Sequence, residues 1–192
     1  MRAFVAVPVG DAVRGILGRV QEALRRADAD VRWVEPANLH LSMKFLGEVS
    51  EEQAGRLRGL LETEAGRWPR LALEVAGVGT FPEGGLPRVV WAGCRGDLGK
   101  LAGLAQAVER AAEQVGVPRE GRPFVAHLTI GRVKSGRNAK RLLAAIENQR
   151  EVPVGREEVA RLVLYRSTLT PDGPVYEELA EFPLGSPSSS AT

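Results

Sequence analysis

Scarcity is the first signal in this chain: its 192 residues include one cysteine, two histidines and four lysines. A lone Cys94 excludes an intrachain disulfide framework and any zinc site built from several cysteines. It lies in the apolar run "VVWAGC", where an inert buried thiol is expected. With two histidines, and no Asp or Glu in the motif around either, a metal cluster is not expected, nor is any other cofactor. Formal net charge is only +2, so the chain should not coat nucleic acid nonspecifically, and contact with a polyanion should be local. Because lysine is rare, 22 of the 26 basic residues are arginine. The guanidinium fork suits phosphate, but a general compositional bias accounts for the excess more simply. No run approaches the ~20 apolar residues of a membrane span, and the apolar part of "MRAFVAVPVG" is too short for a signal peptide. A cytoplasmic monomer is the expectation.

What is present suits a soluble domain with a substantial core: 44% hydrophobic and 26% charged residues. "RAFVAVPV" reads as an opening strand. Asp11 is placed to cap a helix whose apolar residues Val13, Ile16, Leu17, Val20 and Leu24 follow three-four spacing. After a short piece at Trp33 comes a strand over Leu39–Leu46. "SEEQ" at 50–53 has capping-box form, with Ala54, Leu57, Leu60 and Leu61 facing inward behind it. "LALEVAGV" and "RVVWAGC" read as strands joined by "GTFPEGGLP". Asp97 opens a third helix with Leu101, Leu104, Val108 and Val115 inward; a strand over Phe124–Arg132 follows, then a short helix holding Leu142, Leu143 and Ile146. "EEVARLVLYRSTL" and "PVYEELAEFPL" read as a strand pair turning at "TPDG". The tail 185–192 is expected to be disordered, leaving 1–184 as one domain. Elements in this order predict an α+β fold with antiparallel sheet. No dinucleotide fingerprint occurs. "GCRGDLGKL" fails as a phosphate loop, since its first glycine is one position off and Leu101 stands where Ser or Thr is required.

Both histidines occur in the same local pattern, "NLHLSMKFLG" at 38–47 and "VAHLTIGR" at 125–132. Side chains on a strand alternate faces. Leu39, Leu41, Met43 and Phe45 would share one face, and His40, Ser42 and Lys44 the other. Likewise Phe124, Ala126, Leu128 and Ile130 oppose His127 and Thr129. Hydroxyl residues are about 7% of the chain, so one falls two places after both histidines by chance in roughly 0.5% of cases. Two imidazoles with ordinary pKa values near neutrality can divide acid and base work. Phosphodiester hydrolysis needs that division, because attacking water loses a proton while the departing alkoxide gains one. The flanking hydroxyls can hold the non-bridging oxygens, where charge builds. The residues themselves say only that one histidine serves each role.

"HLSM" at 40–43 and "HLTI" at 127–130, 87 positions apart, resemble the paired motifs of the two-histidine (2H) phosphoesterase superfamily, and within it the RNA 2',3'-cyclic phosphodiesterases, also called 2'-5' RNA ligases. The resemblance runs over nearly all of 1–184 and takes in "GVGTFP", "PRVVWAG" and "LYRSTLTPDGPVYEEL". Ala126 stands where relatives often have proline, and Ser42 keeps the hydroxyl of their threonine. The resemblance implies a bilobal, pseudo-twofold fold, with two antiparallel sheets flanking a central cleft and helices outside. It implies metal-independent opening of an RNA 2',3'-cyclic phosphate to a 2'-phosphate, with 2'-5' ligation as the related reverse chemistry. It makes His40 the general acid, His127 the general base, and Ser42 and Thr129 phosphate ligands. Partners would be RNA ends or nucleotides bearing the cyclic phosphate. The alternatives are a phosphodiesterase of small cyclic nucleotides and a non-catalytic nucleotide- or RNA-binding module of the same fold.

Around this pair, Lys44 and Arg132 are candidates for added positive charge, although strict alternation turns Arg132 toward the core unless the strand ends before it. Phe81 can stack a base or pack locally, the plainer reading. Trp91 is expected in the core and Arg88 as an edge charge.

Overall fold

The computed structural model describes residues 1–185; the expected tail otherwise lies outside the described residues. Its strands are β1 Arg2–Pro8, β2 Val31–Trp33, β3 His40–Glu48, β4 Leu71–Phe81, β5 Val89–Gly96, β6 His127–Val133, β7 Pro153–Val159, β8 Arg161–Thr170 and β9 Gly173–Pro183. Helices are α1 Asp11–Arg25, α2 Glu51–Ala65, α3 Leu98–Gln114 and α4 Ala139–Glu147. All strand pairs are antiparallel, in the order β7-β4-β5-β6-β3-β1-β8-β9, with β2 added to β6. The two expected sheets are therefore two halves, β7-β4-β5-β6 and β3-β1-β8-β9. They meet at one registered pair, Leu41 with Leu128.

The helices cover one face of the sheet. Val13, Leu17 and Leu24 of α1, Leu57 and Leu61 of α2, and Leu101, Leu104 and Val108 of α3 are buried in one core with Leu41, Leu128, Leu162 and Leu164 of the strands. On α4, Leu142 and Ile146 are buried and Leu143 is exposed. Among the described residues no helix is long and apolar enough to cross a membrane.

Local signals fared unevenly. Ser50 and Gln53 form the capping box reciprocally, at 3.0 and 2.9 Å. Asp11 does not cap α1: the cap position is Gly10, and its N–H donates to the Glu157 carboxylate at 3.1 Å. Asp97 does precede α3, but its Oδ2 accepts the N–H of Ala72 at 3.0 Å instead of capping the helix. The run read as one strand, "EEVARLVLYRSTL", breaks at Ala160: its first part pairs with β4 in one half and the rest with β1 in the other.

Candidate active site

The two histidine strands are built alike. Burial alternates from His40 to Met43 and from His127 to Ile130. Then Lys44 and Gly131 are buried too, and Phe45 and Arg132 are exposed. Register explains this pattern. β1 sets Ala6 against Ser42 but Val5 against Lys44; β5 sets Trp91 against Thr129 but Val90 against Gly131. Met43 and Ile130 are thus extra residues, each a β-bulge, and each bulge reverses the face taken by the residues after it.

Two expectations change. Lys44 does not share a face with His40 and adds no charge beside it. It is buried on the helix side, where its Nζ donates to Glu109 Oε1 at 2.6 Å and to the Pro118 carbonyl at 2.8 Å. Arg132 reaches the cleft face although the strand continues to Val133, because the bulge at Ile130 turns it there. Phe45, 60% exposed, holds the equivalent place on the other strand, five residues after its histidine. Strand periodicity hides Phe45, since strict alternation assigns it to the core.

The Leu41–Leu128 bridge sets His40 across from Thr129 and Ser42 across from His127, all on the face opposite the two leucines. Each imidazole is tethered in the same way. His40 Nδ1 lies 2.7 Å from the Asn38 carbonyl, and His127 Nδ1 lies 2.8 Å from the Val125 carbonyl. A carbonyl only accepts, so both Nδ1 atoms carry hydrogen and each Nε2 is the working nitrogen. Ser42 Oγ is 3.0 Å from His40 Nε2 and donates to the neutral ring.

Burial, first of all, holds the His40 imidazole below the ordinary value of 6.5; the bond to the Asn38 carbonyl opposes this, and the charges of Arg132 and His127 add to the lowering. Arg132 makes no ion pair or side-chain hydrogen bond among the described residues. Its charge reaches both His40 and Tyr176. Phe4 lies 4.9 Å from the His40 ring and stacks on Tyr165 at 5.1 Å, and Tyr176 meets His40 edge-on at 5.5 Å. Burial pushes the Tyr165 hydroxyl up to about 12, with Glu178 adding to the rise. Beside His40 opens a cavity of about 480 Å³, walled by Arg14, Asn38, Arg161, Tyr165, Tyr176 and Glu178.

On the other half, Phe81 packs edge-on against His127 at 5.1 Å and lies 5.3 Å from Trp91. Local packing, the plainer reading of Phe81, is what it does, and it does so at the site. Trp91 is not in the core. It is paired with Thr129, so it shares the cleft face, half-buried and lying across Gly79, where its indole leaves no room for a Cβ. Arg88 is exposed just before β5. Cys94 is partly buried, and its thiol is pushed up to about 12 by burial and then by Glu157, which keeps it protonated.

The chain as a whole is similar to known proteins. The chain matches the 2'-5' RNA ligase superfamily over residues 12–170. It is 38% identical to an RNA 2',3'-cyclic phosphodiesterase of Archaeoglobus fulgidus over 182 residues, covering 95% of this chain and 99% of that protein. The crystal structure of TT0787 from Thermus thermophilus superposes with a TM-score of 0.81 at 31% identity, covering 96% of this chain and 98% of the other. E. coli LigT complexed with 3'-AMP superposes with a TM-score of 0.72 at 26% identity, over 95% and 96% of the two chains. With a matched family spanning most of its length and full-length relatives above 30% identity, the chain belongs to the 2'-5' RNA ligase superfamily.

Proposed function

We propose that this chain hydrolyses the terminal 2',3'-cyclic phosphodiester of RNA to a 2'-phosphomonoester with a free 3'-hydroxyl. The observation that carries the reading is the pair of identically tethered imidazoles, each with a hydroxyl residue two places on, facing one cleft across the Leu41–Leu128 bridge. His127 Nε2 takes a proton from water as its oxygen attacks phosphorus. The P–O3' bond breaks, and His40 Nε2 gives its proton to O3'. His127 ends protonated and His40 neutral, and exchange with solvent resets both. Ser42 and Thr129 hydroxyls and the free guanidinium of Arg132 hold the non-bridging oxygens, where charge grows. Phe45 offers an exposed ring on which a base can stack. A 5'-hydroxyl in place of water would give a 2'-5' linkage. The relatives named RNA 2',3'-cyclic phosphodiesterase support the substrate class. The same reading makes the protein a monomer acting in the cytoplasm.

The cavity beside His40 has the size of an ordinary small-ligand site. That favours, as a second reading, action on free cyclic mononucleotides. Turnover of a cyclic-ended oligonucleotide and of 2',3'-cyclic AMP, measured side by side, separates the two: RNA should be preferred, and preference for the mononucleotide would move the substrate to the second reading. Because side chains supply acid, base and charge stabilisation, activity should persist in EDTA. Complete loss on chelation would sink this mechanism.

The pH dependence follows from the sign of the His40 shift. An acid must hold its proton, so kcat/KM falls as pH rises through a value below the ordinary 6.5. The bound phosphodiester anion favours the imidazolium, so the same limb lies at higher pH in kcat. Arg132→Ala removes one of the charges that lower His40, and should move the limb in kcat/KM upward. A flat profile between about pH 5 and 9 would count against paired histidines.

A further inference from the structure

Among the described residues only two polar or charged side chains are buried, Gln21 at 2% exposure and Lys44 at 6%. Each sits behind one of the two bulges. Lys44 follows the bulged Met43 directly and is held on the helix side by Glu109. Gln21, on α1, reaches the other bulge: its Nε2 donates to the carbonyl of Ile130 at 2.9 Å and to that of Val34 at 2.8 Å. The Ile130 carbonyl also accepts the N–H of Val34 at 3.0 Å.

We infer that Gln21 is a positioning residue, whose task is to fix the bulge at Ile130 and thereby keep Arg132 on the cleft face. A buried amide is out of place among Leu17, Val20 and Leu24 unless it serves a polar group there. A bulge breaks the regular strand ladder, and a buried carbonyl in such a place needs a donor. Val34 N–H supplies one donor to the Ile130 carbonyl; Gln21 supplies a second, ties the bulge to α1, and so makes the two-against-one register the favourable one. A slip to regular pairing would return the residues after Ile130 to strict alternation and turn Arg132 toward the core. That Lys44 stands behind the matching bulge on β3 argues against coincidence. The bearing of Gln21 on turnover rests on the reading of Arg132 as a phosphate ligand. Its bearing on where Arg132 lies does not.

The two histidines give the test its probe, since their Cε1 protons give two NMR signals. Around His40 lie Arg132, His127 and the rings of Tyr165 and Tyr176, with Asp11, Arg14, Arg161 and Glu178 on the wall of the adjoining cavity. In Arg132→Ala the His40 titration should move upward. Gln21→Met keeps the length of the side chain and removes both donors. It should move His40 in the same direction and by a similar amount, and in the Arg132→Ala background it should move it no further. On 2',3'-cyclic AMP, Gln21→Met should lower kcat/KM about tenfold, the scale of one charge-assisted hydrogen bond, with part of the loss in kcat because Arg132 holds oxygens on which charge grows. An unmoved His40 in Gln21→Met, or in Arg132→Ala, overturns the inference; so do additive shifts in the double variant, which would mean general loosening. If His40 moves as expected while Arg132→Ala leaves turnover and KM intact, the positioning stands and the reading of Arg132 as a phosphate ligand fails. Should Gln21→Met not fold, Gln21→Asn keeps the amide and shortens its reach, and the same outcomes apply.

Discussion

Replacing either His40 or His127 by alanine should lower kcat on a cyclic-ended RNA by at least ~10²-fold, the scale of general acid–base catalysis. The two losses have different chemical origins. Without His127 nothing positioned removes the proton of water. Without His40 the O3' alkoxide leaves unprotonated. Both groups act in the same displacement, so the double variant should lose much less than the product of the two single losses, as happens when residues work as a unit. Neither ring belongs to the main core; each is held by a carbonyl two residues before it and by aromatic neighbours on the cleft face. The variants should therefore fold, and an unchanged thermal midpoint would separate lost chemistry from lost structure. Ser42→Ala and Thr129→Ala should cost less than the histidine variants, since each removes one of several contacts to the phosphate. Wild-type turnover in either histidine variant would refute that residue's role.

The second large effect concerns stability. Lys44 is buried, its Nζ 2.6 Å from Glu109, and Glu109 also accepts the N–H of Glu120 at 2.8 Å. Glu109→Ala would leave a buried ammonium with only the Pro118 carbonyl opposite it. Stranding one partner of a buried pair costs about 3 kcal/mol or more. That is a large share of the ~5–15 kcal/mol by which domains are stable. The urea midpoint should fall, with the slope unchanged. Lys44→Met combined with Glu109→Leu should recover most of the loss, because an apolar pair leaves no unpaired charge. A loss under ~1 kcal/mol in Glu109→Ala would place the pair among solvated surface bridges.

Much of this was readable from residue order, and the failures share one cause. The H-x-[Ser/Thr] units, the capping box at Ser50 and the helix faces depend on spacing over a few residues, which periodicity reports well. A bulge adds one residue to a strand and leaves no mark in its own sequence. Strict alternation in "HLSMKFLG" puts Phe45 inside and Lys44 outside, a plausible pattern that is wrong for both residues. The same break brings Arg132 to the cleft. Trp91 looked like core because its strand is apolar on both faces. Its register against Thr129, which no local signal reveals, puts it on the cleft face. Asp11 has the right chemistry for a cap, but the helix starts with it at the first helical position, and Gly10 holds the cap place with its N–H given to Glu157, 147 residues beyond. Contacts that depend on pairing between distant strands leave no local signal.

The central claim is that two imidazoles flank one phosphorus and break the P–O3' bond. The position of the phosphate in the product tests it most directly. An oligonucleotide with a 2',3'-cyclic end, incubated with the protein and followed by phosphorus NMR, should give the 2'-phosphomonoester alone. A 3'-phosphate, or a mixture of the two, would contradict the proposed placement of acid and base.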